Sequence, residues 1–159
     1  MTLWGAVARP WSYPRSLTAT LTSDTTQTTN VNDTPALLHS GFGLSLGTLA
    51  SNTKVKVDVQ MCVSNPTSST EEFFVALTTS KTSTASEYVR KFAKKLNPDD
   101  LKIVQLSAML TLSGTVNIGV AVDTKDEEYG VVVQYGGDFP DVLLTATLVD
   151  DTTTSVGGG

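Results

Sequence analysis

The sequence predicts an all-β domain: an eight-stranded antiparallel sandwich of two sheets, jelly-roll-like, with one short helix. Three observations carry this expectation. Apolar residues recur with a period of two in run after run. Gly, Pro, Asn and Asp punctuate the gaps between runs. Ser and Thr make up about a quarter of the 159 residues, and Thr favours both strands and polar turns.

The runs follow in order. Leu17, Ala19 and Leu21 alternate with Thr18, Thr20 and Thr22, and Phe42, Leu44 and Leu46 alternate with Gly43, Ser45 and Gly47. The clearest run sets Val55, Val57, Val59, Met61 and Val63 against Lys56, Asp58, Gln60 and Cys62. A fourth covers Phe73 to Thr79, and a fifth sets Val104, Leu106, Ala108, Leu110 and Leu112 against Gln105, Ser107, Met109 and Thr111. Val116 to Val122, Val131 to Tyr135 and Val142 to Val149 complete the eight. Each apolar set would face a core and each polar set water or another subunit.

The connections read as turns and loops. Asn65-Pro66-Thr67-Ser68-Ser69 separates the third and fourth strands, and Ser113-Gly114 suggests a hairpin between the fifth and sixth. Ser23 to Asn32 reads as an exposed polar loop. From Ser86 to Leu96, Tyr88, Val89, Phe92 and Leu96 fall at helical spacing, with Ser86 as N-cap and Asn97-Pro98 as stop. Arg90, Lys91, Lys94 and Lys95 would make that helix basic.

This organisation divides the chain into an extended N-terminal arm at 1–16, a β-sandwich domain at 17–150 and a C-terminal tail at 151–159. The arm holds Pro10 and Pro14, which favour extended backbone, and no basic-then-apolar leader pattern. No run of about 20 apolar residues is present, so no membrane-spanning helix is expected.

The formal net charge of −5 argues against a dedicated nucleic-acid binder. A weaker contact with RNA inside a shell would draw on Arg9, Arg15, Arg90, Lys91, Lys94 and Lys95, since basic side chains hold phosphates without reading sequence. A solvated helix face explains the same residues. Catalysis finds little support, and the chain is expected not to be an enzyme. His39 is the single histidine and Cys62 the single cysteine, so neither a nucleophile–base pair nor a zinc site assembles from the pattern. Cys62 sits in a strand run, where a buried and inert thiol is expected.

No cofactor is implied apart from calcium. Asp123, Asp126, Glu127 and Glu128 crowd one connection and offer the oxygen ligands that cation takes, although they lack an EF-hand spacing. A solvated hairpin turn is the simpler explanation of the same residues. Trp4, Trp11 and Tyr13 lie on the arm outside any strand pattern, where large aromatics either fold back or anchor on a neighbouring subunit.

Taken together, the strand count, Thr-rich loops, arm, short helix and loose tail resemble the jelly-roll coat or projection proteins of small non-enveloped viruses. The resemblance implies self-assembly into a homo-oligomer in a virion, with exchanged arms and calcium between acidic residues. The chain departs from that class in lacking a dense Arg/Lys arm. The competing expectation is an extracellular or cell-surface carbohydrate-binding module, a lectin- or adhesin-like sandwich that grips a glycan through loop residues.

Overall fold

The protein was analysed as a computed structural model, which describes residues 16–21, 27–29, 36–39, 41–125, 131–135 and 139–150. Among these residues every regular element is a strand: β1 (Ser16–Leu21), β2 (Gln27–Thr29), β3 (Ala36–Leu37), β4 (Gly43–Ser64), β5 (Glu71–Thr78), β6 (Glu87–Leu96), β7 (Leu101–Thr124), β8 (Val131–Gln134) and β9 (Val142–Asp150). All pairings are antiparallel and join the strands along the path β1-β9-β4-β7-β5-β6, with β2, β3 and β8 attached beside it. The domain is therefore all-β and jelly-roll-like, as the alternation predicts.

Its frame is a ribbon of the two longest strands. β4 pairs with β7 from Gly43↔Gly119 to Ser64↔Leu101. Midway, Leu49 pairs with Gly114 and Thr53 with Leu112, so β4 spends three residues where β7 spends one. Such bulges bend a strand and increase its twist. Asn52 (φ 61) and Gly114 (φ 75) take up the left-handed backbone that the corner needs. The Thr53 hydroxyl closes it by donating to the Ala50 carbonyl at 2.6 Å. Beyond the corner, the first half of β7 and the second half of β4 extend into β9 and β1. The other halves extend into β5 and β6. The ribbon thus belongs to both layers.

Inward-facing residues of both layers merge into one core. From β4, Leu44, Leu46, Val55, Val57, Val59, Met61 and Val63 are buried. Val104, Leu110, Val116, Ile118 and Val120 of β7 join them, with Phe73, Val75 and Leu77 of β5 and Leu144 of β9. Removing this apolar area from water is the main favourable term in the fold.

Four sequence expectations are corrected. Ser113-Gly114 is a bend inside a continuous β7 and not a hairpin, because positive φ at one glycine kinks a strand without reversing it. Likewise the second and third predicted strands are one strand, β4, so the eight-strand count becomes nine by a different division. Within the polar stretch 23–32, Gln27–Thr29 is a strand paired with β8.

The largest correction concerns Ser86 to Leu96, which holds strand β6 in place of the predicted helix. Its register against β5 runs Leu77↔Val89, Val75↔Lys91, Phe73↔Lys94 and Glu71↔Leu96 on the core side, and Thr78↔Glu87, Ala76↔Arg90, Phe74↔Phe92 and Glu72↔Lys95 outside. Tyr88 and Ala93 have no partner and form bulges. Two inserted residues, plus two lysines on the core-facing side, erase the period of two. The spacing that looked helical mixes a bulge residue, both faces and the strand end. Lysines turned inward on an edge strand also blunt it against pairing with another chain.

Candidate interaction surfaces

Two outer faces and one strand edge hold the side chains that could meet a partner. On the outer face of the β1-β9-β4-β7 layer, cross-strand neighbours bond in rows. Thr18 and Thr145 share a hydroxyl contact of 3.2 Å, and Ser107 donates to Asp58. Gln105 donates to Gln60 at 3.0 Å, and Lys54 donates to Thr111 at 2.9 Å. Asp58, Gln60, Gln105, Ser107, Leu143 and Thr145 line a depression of about 310 Å³ there. Leu101, Ile103 and Met109 interrupt this polar surface, exposed by 53%, 44% and 56%. All three stand on the outward side of the first half of β7.

The outer face of the other layer is charge-balanced. Arg90 donates to Asp123 at 3.1 Å and to Glu87 at 3.0 Å, and Lys125 meets Glu72 at 3.5 Å. Beside them the rings of Phe74 and Phe92 meet edge to face, 5.7 Å apart at 74°. Phe92 is half exposed.

The strand geometry separates the basic residues that a helix would have grouped. Arg90 and Lys95 lie outside, whereas Lys91 and Lys94 lie on the core-facing side of the rim. Arg90 is neutralised by two acids, which removes its positive field from the surface. Lys91 reaches across the rim and donates to the Ser107 carbonyl at 3.5 Å. Arg9 and Arg15 lie outside the described residues, as do Trp4, Trp11 and Tyr13 with most of the arm at 1–16, and the tail at 151–159.

Of the four acids considered for calcium, Asp123 is described; Asp126, Glu127 and Glu128 lie outside the described residues. Asp123 is the next-to-last residue of β7, and its side chain is 5% exposed against the Arg90 guanidinium. Among the described residues no group of three or more His, Cys, Asp or Glu could hold a metal ion. Replacing Arg90 with methionine keeps the aliphatic stem but leaves the Asp123 carboxylate without this cation. The expected result is a loss of about 2 kcal/mol in urea unfolding, partly recovered when Asp123→Asn is added.

His39 is exposed between β3 and β4, its carbonyl accepting from the Phe42 amide. Cys62 is buried in β4 opposite Ile103 and Gln134, and burial pushes its thiol pKa up, away from reactivity. Among the described residues, no helix is long and apolar enough to cross a membrane.

Sequence reasoning missed the apolar trio of β7. Met109 reads as the polar-side member of its run, and Leu101 and Ile103 precede the run altogether. The available signal was the long uncharged stretch from Ile103 to Val122.

No family model matches the chain, and no curated protein matches it. Among solved structures, the Eiger TNF of S. frugiperda aligns with 85% of this chain and 94% of its own at 12% identity and a TM-score of 0.49. The VP2 subviral particle of infectious bursal disease virus aligns with 85% of this chain at 13% identity and a TM-score of 0.42. An endo-1,4-beta-D-xylanase of Clostridium thermocellum complexed with xylohexaose aligns with 84% at 15% identity and a TM-score of 0.39. This chain spans 37% of the virus protein and 26% of the xylanase. The resemblance is one of kind only.

Proposed function

We propose that this protein is a structural subunit that self-associates, a capsid or projection domain of a virion, with no catalytic role. The observation that carries the reading is the exposure of Leu101, Ile103 and Met109 along one strand of a mainly polar sheet face, with Val149 exposed on β9 of the same layer. Apolar side chains grouped on a polar surface mark interaction sites, because burying them against a partner recovers their transfer free energy. A homo-oligomer fits that surface, whereas the ion-paired face around Arg90 gives nucleic acid little to grip. Fold alone does not decide between roles.

Light scattering and electron microscopy of the purified protein test it. Oligomers or closed particles are expected. A protein that stays monomeric at high concentration overturns the proposal. If such a monomer also binds a neutral glycan, and loses it on Asp58→Ala, the carbohydrate-binding reading takes its place.

A further inference from the structure

We infer that residues 101–112 of β7 form a self-pairing edge, which docks antiparallel on the same edge of a second copy across a two-fold axis. The inference deepens the self-association proposed above and rests on it.

The edge is open. Residues 101–112 pair with β4 along one side, and no described strand pairs with the other side until Gly119. An unpaired edge presents backbone donors and acceptors in the arrangement another strand needs. Other edges of the sheet are blunted or short. β6 carries Glu87, Arg90, Lys91, Lys94 and Lys95, and β1 has six residues with no large exposed apolar side chain among them. By contrast, the edge from Leu101 to Leu112 carries one charged residue, Lys102, at its beginning.

The pattern along the edge is also self-complementary. Antiparallel pairing centred on Leu106 puts Ile103 of each copy opposite Met109 of the other. It places Gln105 opposite Ser107 and Leu101 opposite Thr111. Every outward residue meets an outward residue, so the polar face continues across the axis with Ile103 and Met109 matched. Directly opposed side chains in such a pair stand about 5 Å apart, close enough for Ile and Met to bury each other. A two-fold interface of this kind repeats each contact twice. Among the described residues Lys91 competes with the pairing, through a long 3.5 Å bond from a flexible side chain to the Ser107 carbonyl. A backbone amide from a second copy makes the better-aligned bond.

A charge swap tests the arrangement, because both positions are exposed and tolerate polar groups in the monomer. Sedimentation over a concentration series should show that Ile103→Glu alone and Met109→Lys alone each weaken association about tenfold or more. The double variant places Glu against Lys in both symmetry-related contacts and should recover most of the loss. Mixing the two single variants should recover it too, since the mixed pair contains one Glu–Lys row and one Met–Ile row. If the native protein associates and neither single variant changes this, or the double variant stays as weak as the singles, the β7 pairing is wrong while self-association stands. A native protein that is monomeric throughout overturns both.

Discussion

Gly119→Ala is expected to destabilise this protein by roughly 3 kcal/mol or more, the upper end of what overpacking costs. Gly119 is buried in β7, paired with Gly43 of β4 on one side and Thr78 of β5 on the other. A Cβ added there would clash with the Ser80 carbonyl oxygen, lie 2.5 Å from Thr78 Oγ1 and 3.1 Å from the Lys81 Cα. Backbone atoms head that list, so rotating a side chain cannot relieve the clash. The Ser80 carbonyl is moreover held in place by the Thr78 hydroxyl, which donates to it at 2.6 Å. The Lys81 carbonyl in turn accepts from the Gly41 amide at 2.9 Å. To make room, the whole connection after β5 must lift from the sheet. Gly114→Ala supplies the control: there a Cβ meets nothing within 4 Å, and the cost comes only from its φ of +75°. Thermal or urea unfolding of the two variants should separate them, with Gly114→Ala losing about 1 kcal/mol. Equal losses would mean that the chain after β5 moves freely.

Asn65→Leu is the second large effect expected, about 3–4 kcal/mol from several lost hydrogen bonds at a buried site. Asn65 is fully buried just after β4. Its amide nitrogen donates to the Ser69 carbonyl at 2.7 Å and to the Leu96 carbonyl at 3.1 Å. Its side-chain oxygen accepts from the Thr67 amide at 3.0 Å and the Thr67 hydroxyl at 2.6 Å. The backbone joins in, since the Asn65 amide donates to the Asp100 carbonyl and the Asn65 carbonyl accepts from the Asp99 amide, both at 2.9 Å. One residue therefore ties the turn after β4, the end of β6 and the turn before β7. Asn65→Asp is nearly isosteric but cannot donate at neutral pH, so it sets two carbonyls against a buried carboxylate. A urea midpoint reduced by similar amounts in Leu and Asp variants is the expected pattern. A well-tolerated Asp would show that the two amide donations matter little.

These sites also show what was legible beforehand. The strands β1, β4, β7 and β9 could be read because each has one face in the core and one in water, which writes a period of two into the chain. β6 could not, since bulges at Tyr88 and Ala93 and the inward Lys91 and Lys94 scramble that period at a sheet edge. Its Tyr, Val and Phe content was the surviving hint of strand. The corner at Gly114 was visible as a glycine, but whether a positive φ reverses a chain or merely bends it depends on the partner strand. Asn65 reads as an ordinary turn residue, because nothing local distinguishes a solvated Asn from one enclosed by its own turn and by the distant stretch from Leu96 to Asp100. The exposed trio on β7 follows the same rule: its exposure depends on which strands stop beside it, and that is decided by topology.

The bent β4–β7 ribbon has a consequence for how the protein opens. A sandwich whose layers are joined only by loops can lose one layer while the other persists. Here each layer contains half of the same two strands, and the hydrogen-bond ladder runs through the corner with a break of only a few residues. Peeling either layer away exposes the core of the other, so the two should exchange their amide protons in a single cooperative event. The same ladder joins segments dozens of residues apart, which places a large loop-closure cost before the first stabilising contacts and makes slow folding the natural outcome. Once closed, the ribbon makes the domain one unit of unfolding, suited to a part that must hold its shape under load.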